Sequence, residues 1–188
     1  IGEKRTRLLE KGFVAGDKLF DVLCAHITDM QWEEWGNEIL NLFVLTLRQE
    51  AICTQQRHRL RIILEHISVD TIIEWVESHE RKYKGESGVQ LITYALALDI
   101  EKASTQELCI ASWMLKEEYI NKRESVQGDS IFRQYILVTG AFAVRYYGEE
   151  LLIDANNCAI APDIRAAYRM AVVLLNGNIG SESVVLLR

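Results

Sequence analysis

Apolar residues recur every three or four positions along most of the chain, the spacing that places side chains on one face of an α-helix. Alternation with a period of two, the pattern of a half-buried β-strand, is nearly absent. Two capping boxes mark helix starts, Thr28-Asp29-Met30-Gln31 and Ser104-Thr105-Gln106-Glu107. The pattern therefore predicts an all-α protein.

One predicted helix follows a shorter helical segment at residues 57–67 and begins near Asp70. Its N-cap is expected to be Asp70 itself, or a capping box formed by Thr71 and Glu74. The buried stripe of this helix is predicted to be Ile72, Trp75, Val76, His79 and Tyr83.

Two segments, residues 89–100 and 131–147, are apolar on nearly every side, which is typical of helices at the centre of a bundle. Gly148 is placed to end the second of them. Pro162 suits the first turn of a helix that stops at Asn176-Gly177. Shorter helical segments are predicted near the N terminus. In total we expect about eight helices in an orthogonal or layered bundle with a loose C-terminal tail.

The domain organisation follows from a single clear linker, Lys84-Gly85-Glu86-Ser87-Gly88, which has no apolar residue. We expect one helical domain over residues 1–188, which can consist of two packed lobes at 1–84 and 89–176 and a C-terminal arm at 177–188. The chain begins Ile1-Gly2 rather than with Met, so we expect a fragment or a processed product.

Composition narrows the class of protein. With 49% hydrophobic and 26% charged residues among 188, the chain has the usage of a globular protein and not of a disordered one. No uncharged run approaches the ~18–20 residues of a spanning helix, so no membrane association is expected. The four cysteines lie far apart, which predicts a reducing, intracellular (cytoplasmic) environment, or a virion if the protein is a viral structural protein.

The charge balance bears on nucleic-acid binding. Lys+Arg total 21 against 27 Asp+Glu, a net charge of -6, which argues against nonspecific phosphate binding as the main activity. No lysine follows Lys122, however, and arginine alone supplies the later cations. Arginine interleaved with tyrosine can hold a single-stranded backbone and stack its bases. The candidate nucleic-acid contacts are Arg57, Arg61, Arg133, Arg145, Arg165, Tyr168 and Arg169.

Each of these arginines has an alternative role in an ion pair within the fold. Arg57 and Arg61 share one side of a helix and can pair with Glu50 and Glu65. The candidate partners of the later arginines are Glu149, Glu150, Asp154 and Asp163.

Motifs of known chemistry are missing. The chain has no phosphate-binding glycine loop, no nucleophile elbow and no zinc-protease motif. Its four histidines do not combine with cysteines or carboxylates at chelating spacings. We therefore expect no metal, no cofactor and no enzymatic activity, with a helical enzyme whose site is dispersed as an alternative.

The C-terminal arm ends in four consecutive apolar residues, Val184, Val185, Leu186 and Leu187, after a glycine-spaced stretch. They can fold onto their own core, dock on a neighbouring copy as an exchanged arm, or belong to a further element. We expect an assembly protein that self-associates or binds a partner chain through a helical surface and this arm. The alternative is a nucleocapsid-like or coat-like subunit that covers RNA or single-stranded DNA.

Overall fold

A computed structural model describes residues 34–38, 40–41, 61–62, 64–79, 89–154 and 159–176. All regular secondary structure in these residues is helical, which confirms the all-α prediction. The expected capping box at Thr28, the linker 84–88 and the arm 177–188 lie outside the described residues.

Six helices have both ends within the described residues, and further helical residues occur between 34 and 41 and between 61 and 65. The helices are α1 (Val69–His79), α2 (Val89–Leu96), α3 (Thr105–Lys122), α4 (Gly128–Tyr147), α5 (Glu149–Ile153) and α6 (Pro162–Asn176).

The chain divides into two compact units. The first comprises Ile1–Tyr83 and Gly88–Leu91, and the second comprises Lys84–Ser87 and Ile92–Arg188. Helix α1 belongs to the first unit, and helices α3 to α6 belong to the second.

Helix α1 begins earlier than its sequence indicates. The hydroxyl oxygen of Ser68 accepts a 3.1 Å hydrogen bond from the backbone N–H of Thr71, so Ser68 caps the helix and the predicted cap at Asp70 or Thr71 is wrong. Of the predicted stripe, Ile72 and Trp75 are buried, Val76 is half-buried and Tyr83 lies outside the described residues. The Trp75 indole donates a 3.1 Å hydrogen bond to the Asn41 side chain.

Helix α2 is shorter than predicted. It ends at Leu96 rather than near Ile100, because Asp99 forms a turn in which its carbonyl oxygen accepts from the backbone N–H groups of Lys102 and Ala103. Tyr94 and Ala95 are buried, but 40% of Leu96 is exposed, so α2 is not enclosed on all sides as its apolar sequence predicts.

Helices α3 and α4 form the core of the second unit. The predicted capping box of α3 is present: Ser104 accepts from the Glu107 backbone, and the Glu107 carboxylate accepts from the Ser104 backbone. Helix α4 packs against both α3 and α6, which agrees with its predicted central place. The hydroxyls of Ser112 and Thr139 share a 2.6 Å hydrogen bond across the contact between α3 and α4.

Backbone geometry favours a glycine at each end of α4. A Cβ at Gly128 would lie 2.9 Å from the carbonyl oxygens of Lys122 and Arg123, so only glycine fits the turn after α3 without displacing backbone. Gly148 adopts φ 81°, a conformation that favours glycine, and ends α4 as predicted.

Candidate interaction surface

Helix α6 divides into a buried side and an exposed side. Its buried residues pack in the second unit, where the helix lies against α4. They are Ala167, Tyr168, Ala171 and Val172.

The exposed side of α6 is apolar as well. Exposed fractions are 42% for Met170, 50% for Val173 and 40% for Leu174, and Ala166 is also exposed. Because Met170 lies four positions after Ala166, and Val173 and Leu174 lie three and four positions after Met170, these residues lie on one side of the helix. We refer to Ala166, Met170, Val173 and Leu174 as the α6 face.

A positive charge borders the α6 face. Arg169 is exposed, and it lies three residues after Ala166 and four before Val173, so it is a direct neighbour of both on the helix surface. Within the described part of the chain, Arg169 forms no ion pair. Arg165, one turn earlier, is half-buried.

Two further exposed apolar side chains lie on α5. Exposed fractions are 46% for Leu151 and 61% for Ile153, whereas Leu152 between them is fully buried. Because Leu151 and Ile153 are two positions apart, they lie on opposite sides of the helix, and the exposed Glu150 lies between them on its surface. Asp154 is exposed too.

Arg145, one of the candidate nucleic-acid contacts, is engaged inside the second unit. Its guanidinium donates a hydrogen bond to the carbonyl oxygen of Ala103 and another, of 2.6 Å, to that of Ile100. Burial lowers the pKa of this guanidinium from its ordinary value. These hydrogen bonds hold the segment that connects α2 and α3 against the C-terminal end of α4.

The aromatic residues near these arginines differ in exposure: Tyr168 is buried, whereas 36% of Tyr146 is exposed. Only 3% of Tyr168 is exposed, and its pKa is raised by burial and by the nearby Glu149 carboxylate. Its ring therefore offers little surface on which a base could stack. Tyr146 and Tyr147 pack against each other with ring centroids 4.9 Å apart, and Phe142 stacks on Tyr146.

Of the remaining candidate nucleic-acid contacts, one is exposed, one forms an ion pair and one lies outside the described residues. Arg133 is exposed on α4. In the first unit, Arg61 pairs with Glu65 at 3.3 Å, which is the ion-pair role considered for it from the sequence. Arg57 and the four apolar residues of the arm lie outside the described residues.

Cys109 is the one cysteine among the described residues, and it is buried. Burial raises the pKa of the Cys109 thiol from 9.0 to about 12, so this thiol is protonated and a poor nucleophile near neutral pH. The described ranges contain no group of three His, Cys, Asp or Glu side chains that could hold a metal ion. Nor do they contain a helix with the length and apolar character needed to cross a membrane.

Comparison with protein-family models, with curated proteins and with solved structures finds no match to this chain.

The α6 face was not recognised from the sequence, although a signal for it exists. Residues 162–175 carry apolar side chains on both sides of the helix, more than one buried stripe needs. Which side packs against α4 is decided by tertiary structure, and that choice leaves Met170, Val173 and Leu174 exposed.

Proposed function

We propose that this chain is a non-enzymatic assembly protein that associates with copies of itself through the α6 face and the C-terminal arm. The observation that carries the proposal is the exposure of three large apolar side chains, Met170, Val173 and Leu174, on one side of one helix.

Burial of these side chains supplies the driving force. Fully burying one Val, Leu or Met side chain contributes about 1.5–3 kcal/mol, and each of the three is already about half removed from water. The α6 face therefore favours association without offering a large binding energy of its own. Contiguous exposed apolar patches larger than a few hundred Å² mark interaction sites, and in our proposal the arm enlarges the α6 face toward that size.

The size of the α6 face indicates that a second contact takes part. Its residues span about 12 Å along the helix at ~1.5 Å per residue, less than the length of α6. A specific interface usually buries about 800 Å² on each partner. In our proposal the arm, which follows α6 in sequence, supplies further area through Val184, Val185, Leu186 and Leu187.

A non-enzymatic role is supported by the chemistry of the described residues. The one described cysteine is buried and protonated at neutral pH. Of the arginines considered for nucleic acid, Arg145 and Arg61 already contact groups within the fold. These observations reduce the number of arginines that could contact nucleic acid, although Arg133 and Arg169 are exposed.

The test is the mass of the full chain in solution, measured by light scattering over a range of concentrations together with the 260/280 nm absorbance ratio. We expect a mass above 21.6 kDa that rises with concentration and persists at high salt. The double variant Met170→Gln/Val173→Gln should have a lower mass with unchanged helical circular dichroism.

A matched control removes apolar side chains elsewhere on the second unit. Ile120 and Val126 are 49% and 101% exposed and lie outside the α6 face, so Ile120→Gln/Val126→Gln should keep the wild-type mass. A wild-type chain that is monomeric at every concentration would overturn the proposal. A particle with a high absorbance ratio that releases nucleic acid as salt rises would replace it with the coat-like alternative.

A further inference from the structure

We propose that Ser125, in the turn between α3 and α4, is a phosphorylation site for a protein kinase that recognises basic residues before the acceptor serine. This site lies apart from the α6 face, and the proposal does not depend on self-association.

The turn that carries Ser125 is exposed along its whole length. Each residue from Arg123 to Gln127 is exposed, and Val126, directly after the serine, has an exposed fraction of 101%. Connections of this kind on a protein surface are accessible to modifying enzymes. A kinase can therefore approach Ser125 without displacing another part of the described chain.

Little holds the turn closed. The backbone N–H of Ser125 donates to the carbonyl oxygen of Lys122 at 2.9 Å, and the backbone N–H of Gly128 donates to that of Ser125 at 3.0 Å. Opening the turn breaks these bonds, but it removes no side chain of residues 123–127 from the core, because none of them is buried. Local opening of such a segment needs less free energy than unfolding of the core, so the turn can extend in the groove of an enzyme.

The charges that precede Ser125 distinguish it from the other hydroxyl side chains. Of the serines and threonines that the structure describes, Ser125 alone has two basic residues within the three positions before it, namely Lys122 and Arg123. Kinases discriminate between substrates by such charge patterns, which an acidic groove binds.

Arg123 is the more accessible of the two cations. Lys122 is half-buried and pairs with the buried Glu118 carboxylate at 2.7 Å. Arg123 is exposed and forms no ion pair within the described residues. We therefore expect Arg123 to make the main contact with the kinase.

The reaction transfers one phosphoryl group from ATP. Oγ of Ser125 attacks the γ-phosphorus of ATP held by the kinase, the bond from this phosphorus to the β-phosphate oxygen breaks, and ADP leaves. The hydroxyl proton passes to the catalytic base of the kinase. In the unmodified chain this hydroxyl donates a 2.7 Å hydrogen bond to the carbonyl oxygen of Lys122. Phosphorylation therefore replaces an internal donor with an anionic group at the surface.

The test is phosphorylation of the folded full-length chain by a kinase directed to basic sequences, with Mg²⁺ and ATP, followed by mass spectrometry of its peptides. We expect a phosphoryl group on Ser125, and Ser125→Ala should remove it. Ser130→Ala is the matched control, because Ser130 is an exposed serine nearby that follows Asp129 instead of basic residues, and this change should leave phosphorylation of Ser125 unaltered.

A charge variant tests recognition. Arg123→Ala should lower the rate of phosphorylation at Ser125 at least about tenfold, as expected for the loss of one charge-assisted hydrogen bond to the kinase. Arg133→Ala, a change at an exposed arginine on α4, should keep the wild-type rate. Equal rates for Arg123→Ala and wild type would overturn the proposal. So would a reaction in which the kinase modifies a basic control peptide but leaves Ser125 of the folded chain unmodified.

Discussion

The hydroxyl of Tyr94 donates a 2.8 Å hydrogen bond to Oε2 of Glu107, and both side chains are buried. The other carboxylate oxygen of Glu107 accepts from the backbone N–H of Ser104 at 3.2 Å. One carboxylate therefore caps α3 and holds Tyr94, in the part of α2 that belongs to the second unit, against the first turn of α3. Glu107 also lies in the first turn of α3, where the helix dipole favours a negative charge.

Removing the Tyr94 hydroxyl should destabilise the protein measurably. We expect Tyr94→Phe to lower the free energy of unfolding by about 1.5–3 kcal/mol, the range for hydrogen bonds to charged groups. Urea denaturation followed by circular dichroism measures this change. Tyr119→Phe is the matched control, because within the described residues the Tyr119 ring packs on Phe132 and its hydroxyl has no hydrogen bond. Equal stability of the two variants would contradict the role of the Tyr94–Glu107 bond.

Arg145 should matter more for stability than the exposed arginine on the same helix. We expect Arg145→Ala to lower the free energy of unfolding by about 2–3 kcal/mol, because it leaves the carbonyls of Ile100 and Ala103 without their charged donor. Arg133→Ala, an exposed change on α4, should stay within about 0.5 kcal/mol of wild type.

The conservative replacement of Arg145 separates charge from geometry. Lysine keeps the positive charge but lacks the planar fork that reaches two carbonyl oxygens, so Arg145→Lys should recover only part of the loss. Full recovery would show that charge alone is sufficient.

Cys109 should make the protein sensitive to alkaline pH. Its pKa is raised from 9.0 to about 12 by burial, so the unfolded chain loses this proton at lower pH than the folded chain does. The contribution to stability is complete below pH 9 and is lost as pH rises toward about 12. Between pH 9 and about 12, deprotonation of Cys109 in the unfolded chain should lower the free energy of unfolding by up to ~1.4 kcal/mol for each pH unit.

Urea denaturation at several pH values from 8 to 11 measures this slope. The variant Cys109→Ala should lose stability less steeply with pH than wild type, whatever its stability at pH 8. Parallel slopes for the two proteins would show that burial of this thiol does not contribute to alkaline unfolding.

The C-terminal arm should strengthen self-association without being needed for the fold. Deletion of residues 181–188 is expected to lower the mass measured by light scattering while helical circular dichroism per residue is retained. A variant of full length in which Val184, Val185, Leu186 and Leu187 are all serine tests whether apolar character is responsible. An unchanged mass for both variants would remove the arm from the proposal.

Capping residues, glycine and proline in the sequence correctly predicted several helix ends, because a helix end is determined by interactions between residues close together in the chain. The capping box at Ser104, the stop at Gly148 and the start at Pro162 each depend on residues within one turn, and all three are present. The start of α1 was misassigned because Ser68, Asp70 and Thr71 are all good capping residues within one turn, and sequence alone does not rank them.

Which side chains are engaged and which are exposed could not be predicted from the sequence, because this depends on contacts between distant residues. Arg145 reaches carbonyl groups 42 and 45 residues earlier, and nothing near it in the sequence indicates which groups it contacts. Tyr168 and Met170 are two residues apart on the same helix, yet the first is 3% exposed and the second 42%. The packing of α6 on α4 decides that difference.

The tight turn at Gly128 has a consequence for recognising relatives of this protein. Because a side chain there would collide with two backbone carbonyls, any protein that shares the connection between α3 and α4 has to keep glycine at this place. The Ser104–Glu107 box, Gly128 and Gly148 together give the spacing S-x2-E-x20-G-x19-G. The two glycines of that spacing are imposed by backbone geometry, so they should persist in homologues whose surface and core residues have diverged beyond detection.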